Sequence, residues 1–175
     1  MERPVRVGIV LGSDSDLEIM LETVKVLDAL EIGCEVVVAS AHRTPRRTEE
    51  YASTAAGRGL GVLIAAAGGA AALPGVLAAS SLLPVIGVPI ASTPLGGMDA
   101  LFSIAQMPPG VPVATVAIGA WGATNAAILA AQILAGADAA LAKRLADYRV
   151  RLAAQVDDRQ RRVTERVAAA RAAQP

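Results

Sequence analysis

One stretch of the 175-residue chain concentrates reactive groups: Val36-Val37-Val38-Ala39-Ser40-Ala41-His42-Arg43-Thr44-Pro45, which holds the only histidine. An apolar, β-branched run ends there in Ser40, His42 and Arg43, and Pro45 stands where a helix would begin. Strand end, polar turn and helix start together form the place where open α/β sheets keep their ligands. Imidazole titrates nearest neutrality of the side chains, so one histidine on such a turn is able to give and take a proton within a reaction cycle. Arg43 adds a permanent cationic fork suited to phosphate or carboxylate. Position alone leaves open the competing reading of a histidine that merely caps a strand.

A second turn, Gly12-Ser13-Asp14-Ser15-Asp16, brings hydroxyls, backbone N–H groups near a helix start, and carboxylates. Together with Arg43 these parts make a phosphate cradle, and Asp16 suits the paired hydroxyls of a sugar. A phosphosugar fits all of them; an ordinary capping turn is the alternative for this loop taken alone. A third turn, Ala67-Gly68-Gly69-Ala70-Ala71, has paired glycines that let backbone approach a ligand closely or turn with positive φ.

Several chemistries are excluded. The chain has no Gly-x-x-x-x-Gly-Lys and no Gly-x-Gly-x-x-Gly after the first strand, so the cradle is neither a P-loop nor a dinucleotide fingerprint. One His, one Cys and no clustered carboxylates leave too few ligands for a catalytic metal. A serine triad lacks its nucleophile elbow and its carboxylate. Acidic and basic residues balance at 16 each and aromatics are scarce, so neither the charge nor the stacking platforms of a nucleic-acid binder are present. Cys34 has no intrachain partner and reads as a buried structural thiol in a reducing cytoplasm. Met1-Glu2-Arg3-Pro4 leads straight into a strand-like run and is too short for a signal peptide.

The elements that position these turns follow from periodicity. Strands are predicted at Val5 to Leu11, Cys34 to Ala39, Val62 to Ala66, Leu83 to Val88 and Val111 to Ile118. Leu17, Met20, Val24 and Leu27 recur at helical spacing, and Ser15 with Glu18 has the form of a capping box, so a helix is expected from Asp16 or Leu17. Further helices are expected from Pro45 to about Arg58, from Asp99 to about Met107, and from Asn125 to Leu134, with Asp99 as a structural cap rather than a catalyst. Strands alternating with helices imply an α/β fold, a flavodoxin-like three-layer sandwich around a parallel five-stranded sheet. Parallel strands deliver their carboxyl ends to one side, so the first two turns must face each other there.

Charge is distributed unevenly. From Gly59 to Ala137 the one residue of full charge is Asp99, yet prolines and glycines cut this span into pieces too short to cross a bilayer. So much uncharged surface is expected to be covered by other subunits. After residues 1–136, a domain in themselves, residues 137–175 read as a long amphipathic helix. Its stripe is Leu141, Leu145, Tyr148, Leu152, Val156, Val163 and Val167. Its first half is expected to lie against a neighbouring subunit and its end, after about Asp157, to fray.

Five motifs then carry a resemblance. Gly12-Ser13-Asp14-Ser15-Asp16, Ser40-Ala41-His42-Arg43-Thr44-Pro45, Ala67-Gly68-Gly69-Ala70-Ala71, Leu73-Pro74-Gly75 and Gln106-Met107-Pro108 resemble, in order, the class I PurE family of N5-carboxyaminoimidazole ribonucleotide (N5-CAIR) mutases of purine biosynthesis. The resemblance implies a cytoplasmic homo-octamer with sites between subunits and no metal or organic cofactor. It implies His42 as the general acid and base. Ser13, Asp16 and Arg43 would hold the ribose phosphate, with Ser40 nearby, and Ala67, Gly68 and Leu73 would complete the substrate contacts. Two alternatives stay open: a carboxylase acting on aminoimidazole ribonucleotide (AIR) with free CO2, and a phosphosugar-binding relative that has lost catalysis. The chain departs from the family pattern at Ala72, where histidine is usual, and at Ala66, Ala100 and Ala120-Trp121. Trp121 is expected to be buried in a subunit contact.

Overall fold

The computed structural model describes residues 4–173. The lead-in at residues 1–3 and the last two residues of the tail lie outside the described residues. Strands β1 (Val5–Leu11), β2 (Gly33–Val38), β3 (Val62–Gly68), β4 (Val85–Ile90) and β5 (Ala114–Thr115) form one parallel sheet in the order β2-β1-β3-β4-β5. Helices α1 (Leu17–Ala29), α2 (Pro45–Ala55), α3 (Leu73–Ser80), α4 (Met98–Ala105) and α5 (Ala120–Ala135) cover its two faces, and α6 (Ala139–Ala172) ends the chain. The expected flavodoxin-like sandwich and long C-terminal helix are both present.

Side-chain alternation builds the layers. Val7, Ile9, Leu11, Val62, Ile64 and Ala66 enter a core shared with α1, α5 and the start of α6. Val10, Leu63, Ala65 and Ala67 enter a second core, against α2, α3 and α4. β3 and β4 are buried along nearly their whole length, which is why they read as unbroken apolar runs. Across the first core, the buried Thr23 hydroxyl donates to the Ala123 carbonyl at 2.8 Å and ties α1 to α5. Cys34 is half-buried beside this core, and burial pushes its thiol pKa up.

Where the elements differ from expectation, the reason is local. β5 pairs only at Ala114–Thr115, because it is an edge strand and Pro112 has no N–H to give; Val116 N and Gly119 N still donate to the Gly87 and Pro89 carbonyls, at 3.1 and 2.9 Å. α3 has no signature in the sequence, since its eight residues make only about two turns and are mostly apolar, with no polar face to mark a period. α5 begins at Ala120, ahead of the expected Asn125, with Trp121 exposed in its first turn. Its start is crowded: a Cβ on Gly122 would lie 1.6 Å from the Ala117 carbonyl oxygen. The capping box is formed by Ser13 and Asp16, not by Ser15 and Glu18, because a 3₁₀ turn at Asp14–Asp16 precedes α1.

Asp138 caps α6 by accepting from Leu141 N at 3.0 Å, and it pairs with Arg6 at 2.8 Å. The backbone bond from Leu141, and after it the Arg6 contact, hold this carboxyl below the usual carboxylate range. Arg144 Nε donates to the Leu30 carbonyl at 2.8 Å, fastening α6 to the end of α1. Leu141 is buried, and Leu145 and Tyr148 pack against the first core. Beyond them Leu152, Val156, Val163 and Val167 are exposed along a helix that continues to Ala172. Among the described residues no helix is long and apolar enough to cross a membrane.

Candidate active site

Four turns converge at the carboxyl ends of β1 to β4, around the point where the strand order reverses between β1 and β3. The first turn extends the β1 ladder, with Gly12 N donating to the Ala66 carbonyl at 3.1 Å. Ser13 N then donates to Asp16 Oδ2 at 3.1 Å, while the Ser13 hydroxyl donates to Asp14 Oδ1 at 3.1 Å and accepts from the Ser15 hydroxyl at 3.0 Å. Asp16 is 5% exposed, and this burial raises its pKa against the opposing pull of the Ser13 and Gly12 backbone N–H groups. The result is a sheltered carboxylate with one oxygen already anchored.

The second turn is closed by Thr44, whose backbone N donates to the Ser40 carbonyl at 2.8 Å and whose Oγ1 accepts from Ser40 N at 2.9 Å. Arg43 bridges the two turns: Nε donates to Ser40 Oγ at 3.4 Å and Nη2 to the Gly12 carbonyl at 3.2 Å. These bonds orient the guanidinium and leave it without a carboxylate partner among the described residues. His42 is exposed between them.

The third turn explains the paired glycines. Gly69 has φ 62, Ala71 N donates to the Gly68 carbonyl at 3.1 Å, and the chain then enters α3 at Leu73. A Cβ on Gly68 would meet Ser92 Oγ at 2.0 Å and the Ile90 carbonyl at 3.0 Å, so only glycine fits between β4 and the cavity. Ser92, after β4, was not among the residues singled out from the sequence. No local motif marks it; the β3–β4 register, with Gly68 opposite Ile90, brings it there.

All eight site residues expected from the sequence, Ser13, Asp16, Ser40, His42, Arg43, Ala67, Gly68 and Leu73, line one cavity of about 440 Å³. Ala41, Ala71 and Ala72 add apolar wall, and Ser92 a hydroxyl. Asp99 lies outside it, in the first turn of α4, where its Oδ2 accepts from Thr93 Oγ1 at 2.7 Å. It is not the helix cap, since Gly97 occupies that position. Among the described residues no cluster of His, Cys, Asp and Glu is arranged to hold a metal ion.

A 2-1-3-4-5 parallel sheet with a cavity holding both an arginine and a histidine at its carboxyl rim defines a flavodoxin-like α/β domain with a pocket at its topological switch point. More particularly, the chain belongs to the AIR carboxylase family, whose model matches residues 6–155. It is 58% identical over 144 residues to the N5-carboxyaminoimidazole ribonucleotide mutase of Pyrococcus abyssi, covering 82% of each chain. It is 57% identical over 143 residues to the Bacillus subtilis protein of the same name, covering 82% of this chain and 88% of that one. Among solved structures, Treponema denticola PurE superposes with a TM-score of 0.75 at 28% identity, covering 87% of this chain and 94% of the other. A variant of Treponema denticola PurE2 superposes with a TM-score of 0.82 at 25% identity, covering 92% and 98%.

Proposed function

We propose that the chain is an isomerase that interconverts N5-CAIR and 4-carboxy-AIR in purine biosynthesis, with His42 as its proton carrier. The observation that supports this most directly is the meeting of His42, Arg43, Ser13, Asp16 and Gly68 in one cavity of a chain from this family. In this reading Ser13 and Arg43 hold the phosphate, Asp16 accepts from the ribose hydroxyls, and Ser40 keeps Arg43 oriented. Ala67, Gly68 and Leu73 face the imidazole ring of the substrate.

His42 first gives a proton to the exocyclic nitrogen of N5-CAIR. The N–C bond of the carbamate breaks with its electron pair left on that nitrogen, releasing CO2 and AIR. The electron-rich C4 of AIR then attacks the CO2 carbon, and the neutral imidazole takes the C4 proton to give 4-carboxy-AIR. One base used twice returns to its starting state, so the chemistry balances without ATP or another cofactor. Escape of CO2 competes with recarboxylation, and the wall of Ala41, Ala71, Ala72 and Leu73 favours its retention. Where the family usually has histidine, Ala72 makes that wall more apolar.

The test is conversion of N5-CAIR by the purified protein. His42→Asn is expected to lower kcat at least about a hundredfold while leaving nucleotide binding in place. Turnover only of AIR with bicarbonate would instead indicate the carboxylase, and binding without turnover a relative that has lost catalysis.

We further propose a cytoplasmic homo-octamer. Support comes from the charge-poor half of the chain, where Leu82, Leu95, Phe102 and Trp121 are all strongly exposed. The exposed α6 stripe from Leu152 to Val167 offers a neighbour-facing surface beyond the part that covers the chain's own core.

A further inference from the structure

We infer that Arg47 is a second phosphate-binding cation, seating the phosphate of the ligand in a side cavity next to the pocket of His42. The inference rests on the ribonucleotide reading above and extends it to a residue outside the Ser40–Pro45 motif.

The side cavity, of about 300 Å³, is lined by Arg43 and Arg47 together with Ser13, Asp14 and Ser40. It shares Gly12, Ser13, Ser40 and Arg43 with the main cavity, so one ligand is able to occupy both. Arg47 Nη1 lies 3.5 Å from the Val38 carbonyl, while Arg43 Nη2 donates to the Gly12 carbonyl. Leu11 and Val38 are register partners at the ends of β1 and β2, so the two guanidinium groups are anchored at neighbouring strand ends and line the same side cavity. Neither arginine forms an ion pair among the described residues. Two adjacent cations without carboxylate partners cost repulsion in the empty protein, which a bound dianion would relieve.

Charge decides which end of the ligand goes where. The main cavity sets one arginine against the Asp16 carboxylate, and His42 must meet the reacting nitrogen and C4 there. The side cavity holds two arginines, and its one acid, Asp14, already accepts from Ser13 Oγ and Ser15 N, both at 3.1 Å. A phosphate dianion is therefore better placed in the side cavity, with the ribose passing Asp16 and the base reaching His42.

Calorimetric titration with ribose 5-phosphate and with ribose tests this on the full chain without requiring turnover. Arg47 is exposed, and its variants are expected to melt like the wild type. Arg47→Ala is expected to weaken ribose 5-phosphate about tenfold, Arg47→Lys to recover part of the loss, and ribose to bind equally to all three. With N5-CAIR, Arg47→Ala should raise KM about tenfold and leave kcat within about twofold. Undiminished affinity of Arg47→Ala for ribose 5-phosphate, or no binding by the wild type, overturns the inference. A wild-type protein that binds ribose 5-phosphate through Arg47 yet does not convert N5-CAIR overturns the mutase reading alone.

Discussion

Asp16 sets folding stability against the binding role proposed for it. Its carboxylate is sheltered, and burial raises its pKa above the ordinary value, so the ionised form costs folding free energy at neutral pH. For an acid whose folded pKa is raised, this cost is absent below the unfolded value of about 4 and complete above the folded value. Asp16→Asn should therefore melt at or above the wild-type temperature at pH 7, and the two should converge below about pH 4, as differential scanning calorimetry at several pH values would show. The same substitution should weaken AIR binding about tenfold, because a carboxylate accepts sugar hydroxyls more strongly than an amide does. Asp16, His42 and Arg43 were all visible in the sequence, since their types and their position after apolar runs suffice to single them out. Ser92 and Arg47 were not, because each depends on which strand end stands beside which.

At the scale of elements, each turn is held by the ladder it extends. Gly12 N continues β1 toward β3, Ala39 N continues β2 toward the Leu11 carbonyl, and Gly119 N follows β4 past the end of β5. The junction of β5 and α5 tolerates least, because the first turn of α5 folds back onto the Ala117 carbonyl at Gly122. Gly122→Ala forces backbone against backbone and should destabilise the protein by more than about 3 kcal/mol, measured by urea denaturation. Strands β1 to β4 were legible because alternation and β-branched runs mark buried parallel strands, whereas α3 and the length of β5 were not. A short apolar helix has no polar face to reveal its period, and an edge strand stops pairing where proline removes a donor.

At the scale of the whole molecule, the proposed assembly is what would cover the charge-poor half of the chain. Trp121 is 82% exposed in the single chain, although a lone tryptophan amid apolar residues would be expected to be covered. If neighbouring copies cover it, its fluorescence should be blue-shifted in the native assembly. Trp121→Glu should then give a smaller species by light scattering, with any loss of activity following the loss of assembly. An unchanged mass and a solvent-exposed emission spectrum would remove this residue from the interface.

By itself the sequence determined the layered α/β architecture and the three turns at its rim, and singled out His42 as the candidate proton carrier, because these follow from periodicity, turn chemistry and the presence of one histidine. Only the tertiary structure decided that those turns share one cavity, that Ser13 rather than Ser15 begins the capping box, and that Arg47 stands beside Arg43. Strand order and register are long-range pairings set by how the two cores pack, and no local pattern of residues encodes them.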